Sequence, residues 1–449
     1  MFRHRYRAAG LATVLLLAAT VAQADKGVIL DQQLYPNGRG YTVIRVWGSN
    51  YEMGWAQAGL LGDAIVQGVS QTKSYLGTYR YSLARNIMAT AAWRPPGLED
   101  EFDGLVARLA LTHPAAQIDK LDLKVVCTLG DWLYGGCRSH TCWGRYVAAP
   151  IRTLSTRRLD FITLIPMMNH HVLCVRVPTD GAPEWVNLAW PGLVTAATGV
   201  NEFGTIVSLH DYQCQTDLAA NRLPRMVACR YALTLATDPN VSTHLTAVFD
   251  ELRNYETMTG SFINYYAPEG HGGVMVCHPF QSPDFYYLRR PQPVWHHGEA
   301  LITTNAWTDG TYTPADEDFG ADAYYNDERP KTLESHWTLL TKTGGGLHML
   351  SVAYRGRGDL TVWADGRLDG IGRTPRLEWE WPDLVGVGDL NCDGRTDFGD
   401  INPFVMLLSN PGAYATEFPD CLPRNGDINR DGQVDFGDIN PFVRRLTGR

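Results

Sequence analysis

The sequence predicts an α+β domain with a large, mostly antiparallel sheet, followed by a second and smaller unit. Short β-rich runs such as GYTVIRVWG, HHVLCVRV and LHMLSVAY alternate with segments of helical character between residues 25 and 384. STHLTAVFDELRN, for example, has Ser242 as an N-cap and apolar residues at helical spacing. The C-terminal segment is instead a duplicated motif. Because strands outnumber those of a helical bundle, a mixed domain plus a small appended unit is expected.

Length and composition support this division. A chain of 449 residues exceeds the usual size of one hydrophobic core, so two or three units are expected. The apolar fraction of 45% and the charged fraction of 19% are typical of a folded, soluble protein. The net charge of -9 argues against nucleic acid or an anionic membrane as the main partner.

The N-terminus has the pattern of a secretory signal. Three arginines lie within the first seven residues, 8–21 is apolar, and Ala22-Gln23-Ala24 fits a cleavage site. We therefore expect a signal peptide over 1–24, cleavage near Ala24-Asp25, and a secreted, periplasmic or cell-surface protein. An uncleaved membrane anchor is the alternative. No later segment has the length of apolar sequence that a membrane helix needs, so the mature chain is expected to have no transmembrane span.

The number of cysteines bears on the chemistry. The chain has 9 cysteines, an odd number, so at least one thiol stays free or pairs between chains. A free thiol in an exported protein is a reason to search for a nucleophile, although the number alone does not identify it.

The C-terminal duplication is the clearest internal repeat. GDLNCDGRTDFGDINPFV recurs as GDINRDGQVDFGDINPFV, and both copies place oxygen-bearing residues at loop positions 1, 3, 5, 7, 9 and 12. Glycine occupies position 6 of both loops. The predicted ligands are Asp389, Asn391, Asp393, Arg395, Asp397 and Asp400 in the first loop, and Asp427, Asn429, Asp431, Gln433, Asp435 and Asp438 in the second.

This spacing is typical of a calcium loop. Calcium takes six to eight oxygen ligands, which a loop supplies from alternate positions, with the backbone carbonyl at position 7 and a glycine for the sharp turn. Position 12 is Asp rather than Glu, so its shorter side chain depends on the following INPFV segment to approach the ion. The repeat predicts two Ca²⁺ ions. An acidic, turn-rich tail without metal is the alternative.

The duplicated segment resembles type I dockerin modules, which are small α-helical domains with two calcium loop-helix repeats. This resemblance implies docking onto a cohesin-like protein partner. Cys392 and Cys421 are the only cysteines of the segment, and we expect them to form a disulfide. The module is predicted over 385–449, after a short linker around Pro382 to Val387.

A candidate nucleophile lies in the stretch GGCRSHTCWGRYVAAPIRTLSTRRLDF. Cleavage between Gly136 and Cys137 would place the thiol and a free α-amino group on one residue. An α-amine with a pKa of about 7.7–8.0 can accept the thiol proton near neutral pH, so Cys137 becomes nucleophile and base together. Taken alone, Cys137 is more typical of a buried structural thiol than of a nucleophile.

Five segments single out Cys137 from the other cysteines. They are GSNYEMGWAQAGLLGDAI from Gly48, GCRSHTCWG, RRLDF, WPGLVTAATGVNEFGTIVSLHD from Trp190, and LITTNAW. In this order they resemble the isopenicillin-N acyltransferase-like (acyl-coenzyme A:6-aminopenicillanic acid acyltransferase) family. That family belongs to the cysteine N-terminal-nucleophile hydrolases, with penicillin V acylase and conjugated bile salt hydrolase. The resemblance covers most of the domain and implies an αββα sandwich.

The resemblance also implies residue roles. Cys137 is the nucleophile of self-cleavage and turnover, Asp160 holds the new α-amino group, and Arg157 favours the charged thiol. Asn201 and Asn305 orient the amine and donate to the oxyanion. Arg329 is a looser match, because Asn326 stands where the family has Ser.

Two residues depart from the family pattern. His140 replaces Phe, and Arg158 replaces Asn, and we expect both near the substrate pocket. Zinc binding by Cys137, His140 and Cys142 is an alternative, although a fourth ligand at regular spacing is absent from the sequence.

Together these observations predict an exported, self-processing cysteine amidohydrolase that cleaves a linear amide or N-acyl bond without a catalytic cofactor. Residues 25–136 form the smaller chain or propeptide, and 137–384 form the catalytic domain. Acyl transfer is the second candidate reaction. The non-enzymatic alternative is a degenerate hydrolase domain that serves as a surface binding scaffold.

Overall fold

The structure is a computed structural model. It describes residues 25–35, 38–95, 97–132, 136–160, 165–211, 220–235, 244–266, 268, 273–278, 285–289, 299–303, 321–327, 329–341, 346–370 and 372–447. The predicted signal peptide, 1–24, and the predicted site residue Asn305 lie outside these ranges.

Two β-sheets form the centre of the molecule. The first has the order β1-β2-β5-β6-β7-β8-β9-β10-β11. Its strands are β1 Gly27–Leu34, β2 Gly40–Gly48, β5 His170–Pro178, β6 Trp185–Ala189, β7 Thr198–Asn201, β8 Ile206–Asp211, β9 Ser261–Tyr266, β10 Gly273–His278 and β11 Phe285–Arg289. Among the described pairs, β2 and β5 run parallel and the others antiparallel.

The second sheet has the order β12-β3-β4-β13-β14-β15, and β16 also pairs with β14. Its strands are β3 Gly136–Trp143, β4 Thr153–Asp160, β12 Ala300–Thr303, β13 His348–Gly356, β14 Asp359–Leu368, β15 Gly372–Arg373 and β16 Leu377–Glu380. These described pairs are antiparallel throughout. The predicted α+β class with a large, mostly antiparallel sheet is thus confirmed, with two sheets in place of one.

Helices cover both outer faces of the sheet pair. They are α1 Asn50–Thr90, α2 Leu98–Thr112, α3 Lys120–Cys127, α4 Leu129–Trp132, α5 Arg225–Thr234, α6 His244–Leu252, α7 Ala321–Asn326 and α8 Leu333–Thr341. One core joins α1–α6 to the first sheet, a second lies between the sheets, and two smaller ones join α7 and α8 to the second sheet. The layers are therefore helix, sheet, sheet, helix.

The segment before Cys137 is part of this sandwich. Strand β2 is buried along its whole length and pairs with β5, which follows Cys137 in the sequence. Glu101 on α2 is fully buried and forms ion pairs with Arg176 (2.9 Å) and Arg230 (2.5 Å). Since removing one partner of such a network leaves a buried charge uncompensated, this segment is bound firmly to the rest of the domain.

A helical module follows the sandwich directly. The expected linker is instead helix α9, Trp381–Val385, whose Trp381 is fully buried in the core between the sheets. The linker prediction is wrong at this point, because an apolar Trp-Pro-Asp-Leu-Val segment gains more by burial than by exposure. Beyond it lie α10 Ile401–Ser409, α11 Pro411–Glu417 and α12 Ile439–Thr447, and a Cys392–Cys421 disulfide.

No helix among the described residues is both long enough and apolar enough to cross a membrane.

Candidate functional site

Cys137 lies at the second residue of β3, and its register on β4 determines what it faces. Cys137 is opposite Leu159, and Ser139 is opposite Arg157. Because directly opposed residues of antiparallel strands project to the same side, these four side chains share one face of the second sheet.

This face is turned toward the first sheet. Arg157 donates from Nη1 to Thr198 Oγ1 (2.5 Å) and from Nη2 to the Leu209 carbonyl (2.5 Å). Ser139 Oγ is 2.8 Å from His210 Nε2. Thr198, Leu209 and His210 belong to β7 and β8, so the thiol lies at the interface of the two sheets. Cys137 is only 4% exposed.

Arg157 is the direct polar partner of the thiol. Its Nη2 lies 3.2 Å from Cys137 Sγ. The pKa of the thiol is raised to about 11, chiefly by burial and also by the charges of Asp211 and Asp160, while the Arg157 charge opposes these effects. In the continuous chain the thiol is therefore protonated at neutral pH, and a stronger base is required to make it a nucleophile.

Asp160 lies at the far end of the same hairpin. It is opposite Gly136, the residue before the predicted cleavage point. Its backbone forms a hydrogen bond with the Cys137 thiol. Its carboxylate accepts a hydrogen bond from Arg158 Nη2 (2.7 Å). The structure thus brings Cys137, Arg157 and Asp160 together.

Asn201 and Arg329 make other contacts. Asn201 Nδ2 donates to the Leu233 carbonyl (2.9 Å), and its Oδ1 accepts from the Phe203 and Thr205 amides. These bonds close the β7–β8 turn, about 10 Å along the strand from Thr198. Arg329 forms an ion pair with Asp327, and its side chain is 85% exposed. Neither residue contacts the thiol. The described part of β12 ends at Thr303, opposite Ser139 and two residues before Asn305.

A buried acidic cluster lies beside the thiol, and the sequence analysis missed it. Asp211, at the end of β8, forms a 2.5 Å ion pair with Arg225. The backbone amide of Arg225 donates to Asp131 Oδ1 (3.1 Å), and its guanidinium donates to the Gly130 carbonyl. Arg225 thereby ties the chain just before Cys137 to β8. In the sequence, the carboxylate of Asp211 at the end of the apolar run TIVSLHD could have indicated this cluster.

The two departures from the family pattern lie on the opposite face of β3 and β4. Arg158 donates to the Leu340 carbonyl of α8 (2.8 Å), and the His140 ring stacks on Tyr325 of α7. Arg158 also pairs with Asp160, and the expectation that both residues lie near the substrate pocket stays a prediction. The alternation of strand side chains carries them away from the Cys137 thiol.

The C-terminal loops repeat one hydrogen-bond pattern. In the first loop, position 1 accepts from the amide of position 6, position 3 from that of position 5, and position 5 from that of position 7, all at 3.0 Å. The second loop has the same three bonds at 2.9 Å. Both position-6 glycines have a left-handed φ, of 95° in Gly394 and 93° in Gly432.

The position-12 carboxylates close the loops. Asp400 Oδ1 accepts from Leu390 (2.7 Å) and Asn391 (3.1 Å), and Asp438 makes the equivalent bonds. The position-9 carboxylates instead cap the 3-10 turns before α10 and α12. Asp389 Oδ1 is buried without a hydrogen-bond partner, which is the environment of a carboxylate oxygen that fits a cation. Within the described ranges, no three His, Cys, Asp or Glu side chains already converge as a metal site.

Comparison with known proteins gives little further information. No family model matches the chain, and no curated protein matches it. Among solved structures, it is similar to a Caenorhabditis elegans N-acylethanolamine-hydrolyzing acid amidase (NAAA) ortholog. The TM-score is 0.35 at 14% identity, over 48% of this chain and 92% of that one. At this level the similarity assigns neither a fold nor an activity.

Proposed function

We propose that this chain is a self-processing cysteine amidohydrolase in which Cys137 becomes an N-terminal nucleophile. The observation that carries the proposal is the 3.2 Å contact between Arg157 Nη2 and Cys137 Sγ, buried between two sheets. Among the described residues, Arg157 has no carboxylate partner and bonds instead to a thiol, a hydroxyl and a carbonyl. This arrangement suits the stabilisation of a thiolate.

Self-cleavage supplies the base that the buried thiol lacks. Hydrolysis of the Gly136–Cys137 peptide bond consumes one water molecule and leaves a carboxyl on Gly136 and an α-amine on Cys137. The amine accepts the thiol proton, and Asp160, opposite Gly136, holds the resulting ammonium. Because the thiol pKa is raised to about 11 in the continuous chain, activity toward added substrates depends on this cleavage.

The amide reaction then proceeds in two steps. The Cys137 thiolate adds to a linear amide carbonyl, and the tetrahedral oxyanion collapses as the carbon–nitrogen bond breaks. The amine leaves with a proton from the Cys137 ammonium, and water hydrolyses the acyl-thioester. Oxyanion donors can each contribute about 3 kcal/mol, and the family resemblance assigns that role to Asn201 and Asn305. Hydrolysis is preferred over acyl transfer, because water is abundant outside the cell and acyl-coenzyme A is not.

Intact and denatured masses of the purified mature protein test this proposal. Wild type is expected as two fragments divided between Gly136 and Cys137, and Cys137→Ala as one uncut chain. Cys142→Ala is the matched control, because Cys142 is buried on the same strand but bonds His336. It is expected to cleave normally. An uncut wild-type chain would make the surface scaffold the better proposal.

For the C-terminal module we propose two calcium ions and a dockerin-like role in attachment to a cohesin-like partner. The support is the loop pattern shared by both copies and the unpartnered buried oxygen of Asp389. We also propose export, for which the Cys392–Cys421 disulfide is the structural support, since such bonds persist in oxidising compartments. Calcium titration of the chelator-treated protein tests the first point, with two ions per chain expected.

A further inference from the structure

The first calcium loop is packed against the catalytic domain through a buried arginine. Arg45, on β2, forms an ion pair with Asp389, the position-1 carboxylate, and the two side chains are 3% and 1% exposed. The Arg45 charge also interacts with Asp393 and Asp400. Its guanidinium therefore lies among three carboxylates of one loop, and it is the cation that compensates them in this structure.

The fit around Arg45 is close. Gly386, just before the loop, has a φ of 85°, and a Cβ added there would lie 2.3 Å from Arg45 Nη1. Nearby, Trp47 Nε1 donates to the Asp420 carbonyl of the module at 2.5 Å. Val387, Cys392 and Leu422 of the module join the core between the sheets. Solvent is thus excluded from the first loop on this side.

The second loop lacks this arrangement. Its position-1 residue, Asp427, is half-buried and accepts hydrogen bonds only from backbone amides in the described part of the chain. The arginine of this loop, Arg430, turns to Glu184 (3.2 Å) and to the Gly358 carbonyl (2.9 Å). A cavity of about 360 Å³ opens beside Asp427 and Asp431. The second loop is therefore open. Arg424 and Arg430 line the same cavity, but their guanidinium groups pair with Glu184, and no ion pair among the described residues joins an arginine to the carboxylates of this loop.

We propose that Arg45 is a protein-borne counter-ion for the first loop, which keeps that loop folded without calcium and makes it the weaker of two unequal calcium sites. This inference rests on the proposed calcium sites. A divalent cation entering the first loop must displace a buried guanidinium from the position-1 carboxylate. In the second loop the nearby Arg424 and Arg430 pair with Glu184 and border an open cavity. The sites are therefore expected to differ in affinity by about tenfold or more.

Calorimetric titration of the mature full-length chain with calcium tests the affinity difference. Wild type is expected to show two resolved affinities, and Asp427→Asn is expected to remove the tighter one. Arg45→Met keeps the side-chain length and removes the charge, so it should tighten the weaker site about tenfold toward the stronger. Arg39→Met is the control, because Arg39 lies just before β2 and donates to the Asp369 carbonyl of the main domain. It should leave the ratio unchanged.

Equal affinities in wild type, or an unchanged ratio in a folded Arg45→Met chain, would overturn the inference and leave the calcium sites intact. No calcium binding by any variant would overturn the calcium sites themselves.

Hydrogen exchange on the calcium-free wild type tests whether the first loop stays folded without calcium, and it needs no substitution. Residues 389–400 are expected to remain protected, while 427–438 exchange rapidly. Equal exchange in the two loops would show that Arg45 does not replace the ion.

Discussion

Strand β3 carries two buried cysteines on opposite faces, and the comparison shows what distinguishes a candidate nucleophile from a structural thiol. Burial raises the pKa of both Cys137 and Cys142. Cys137, however, faces the other sheet and the guanidinium of Arg157, whereas Cys142 faces α7 and α8 and lies 3.3 Å from His336 Nε2. Burial alone makes a thiol inert. The charge of Lys331 also acts on Cys142, but at Cys137 the cation, Arg157, donates directly to the sulfur.

The largest expected effect comes from removing, one at a time, the arginine charges on the two faces of β4. Arg157→Met should slow self-cleavage by about 10²–10³-fold, because the thiolate loses its charged donor. The measurement is the rate at which the two fragments appear in the denatured mass spectrum. Arg158→Met, one residue along on the outer face, should have a smaller effect, because it removes the ion pair to Asp160 but leaves the charged donor of the thiol in place. Equal losses would mean that the two faces do not differ in function.

A smaller effect is expected from the acidic cluster on the thiol side. Burial raises the pKa of Asp131 to about 6, so the folded chain holds this proton more tightly than the unfolded chain. Protonated Asp131 contributes up to about 3 kcal/mol to the free energy of unfolding. This contribution is complete below a pH of about 4 and is lost as the pH rises through about 6. Asp131→Asn should reduce the pH dependence of the free energy of unfolding, measured in urea from pH 4 to 7. An unchanged pH dependence would place the titrating group elsewhere.

The smallest expected effect is on the free energy of unfolding, when each of the two cysteines of β3 is replaced by alanine. Cys142→Ala removes a fully buried side chain from a packed core and should cost about 1–2 kcal/mol in the free energy of unfolding. Cys137→Ala should cost less and yet abolish cleavage. Urea unfolding beside the mass measurement checks both. A Cys142 variant that is stable but uncut would reverse the assignment of the two thiols.

Much of the fold could be predicted from local patterns. The runs GYTVIRVWG and HHVLCVRV correspond to β2 and β5, and the helical pattern after residue 242 corresponds to α6, His244–Leu252. Alternation of apolar residues and N-cap chemistry are properties of neighbouring residues, and a single sequence carries them. The proximity of Arg157 and Asp160 to Cys137 follows from two strands joined by a short connection.

The parts that could not be predicted depend on distant pairing. The ion pair of Arg45 and Asp389 joins residues 344 positions apart, and nothing in either neighbourhood indicates it. The faces occupied by His140 and Arg158 depend on the register of β3 against β4, since a shift of one residue exchanges the two faces. The burial of Trp381 likewise depends on the core between the sheets, which no local pattern describes.

The parallel pairing of β2 with β5 has a consequence for the lifetime of the processed protein. Self-cleavage before Cys137 would leave these strands on separate polypeptides that share one interior. Unfolding would then release two molecules in place of one, and reassembly would depend on their concentration. At the dilution of an extracellular fluid, a processed copy that opens would have little chance of closing again. Its persistence would therefore be governed by how slowly it unfolds.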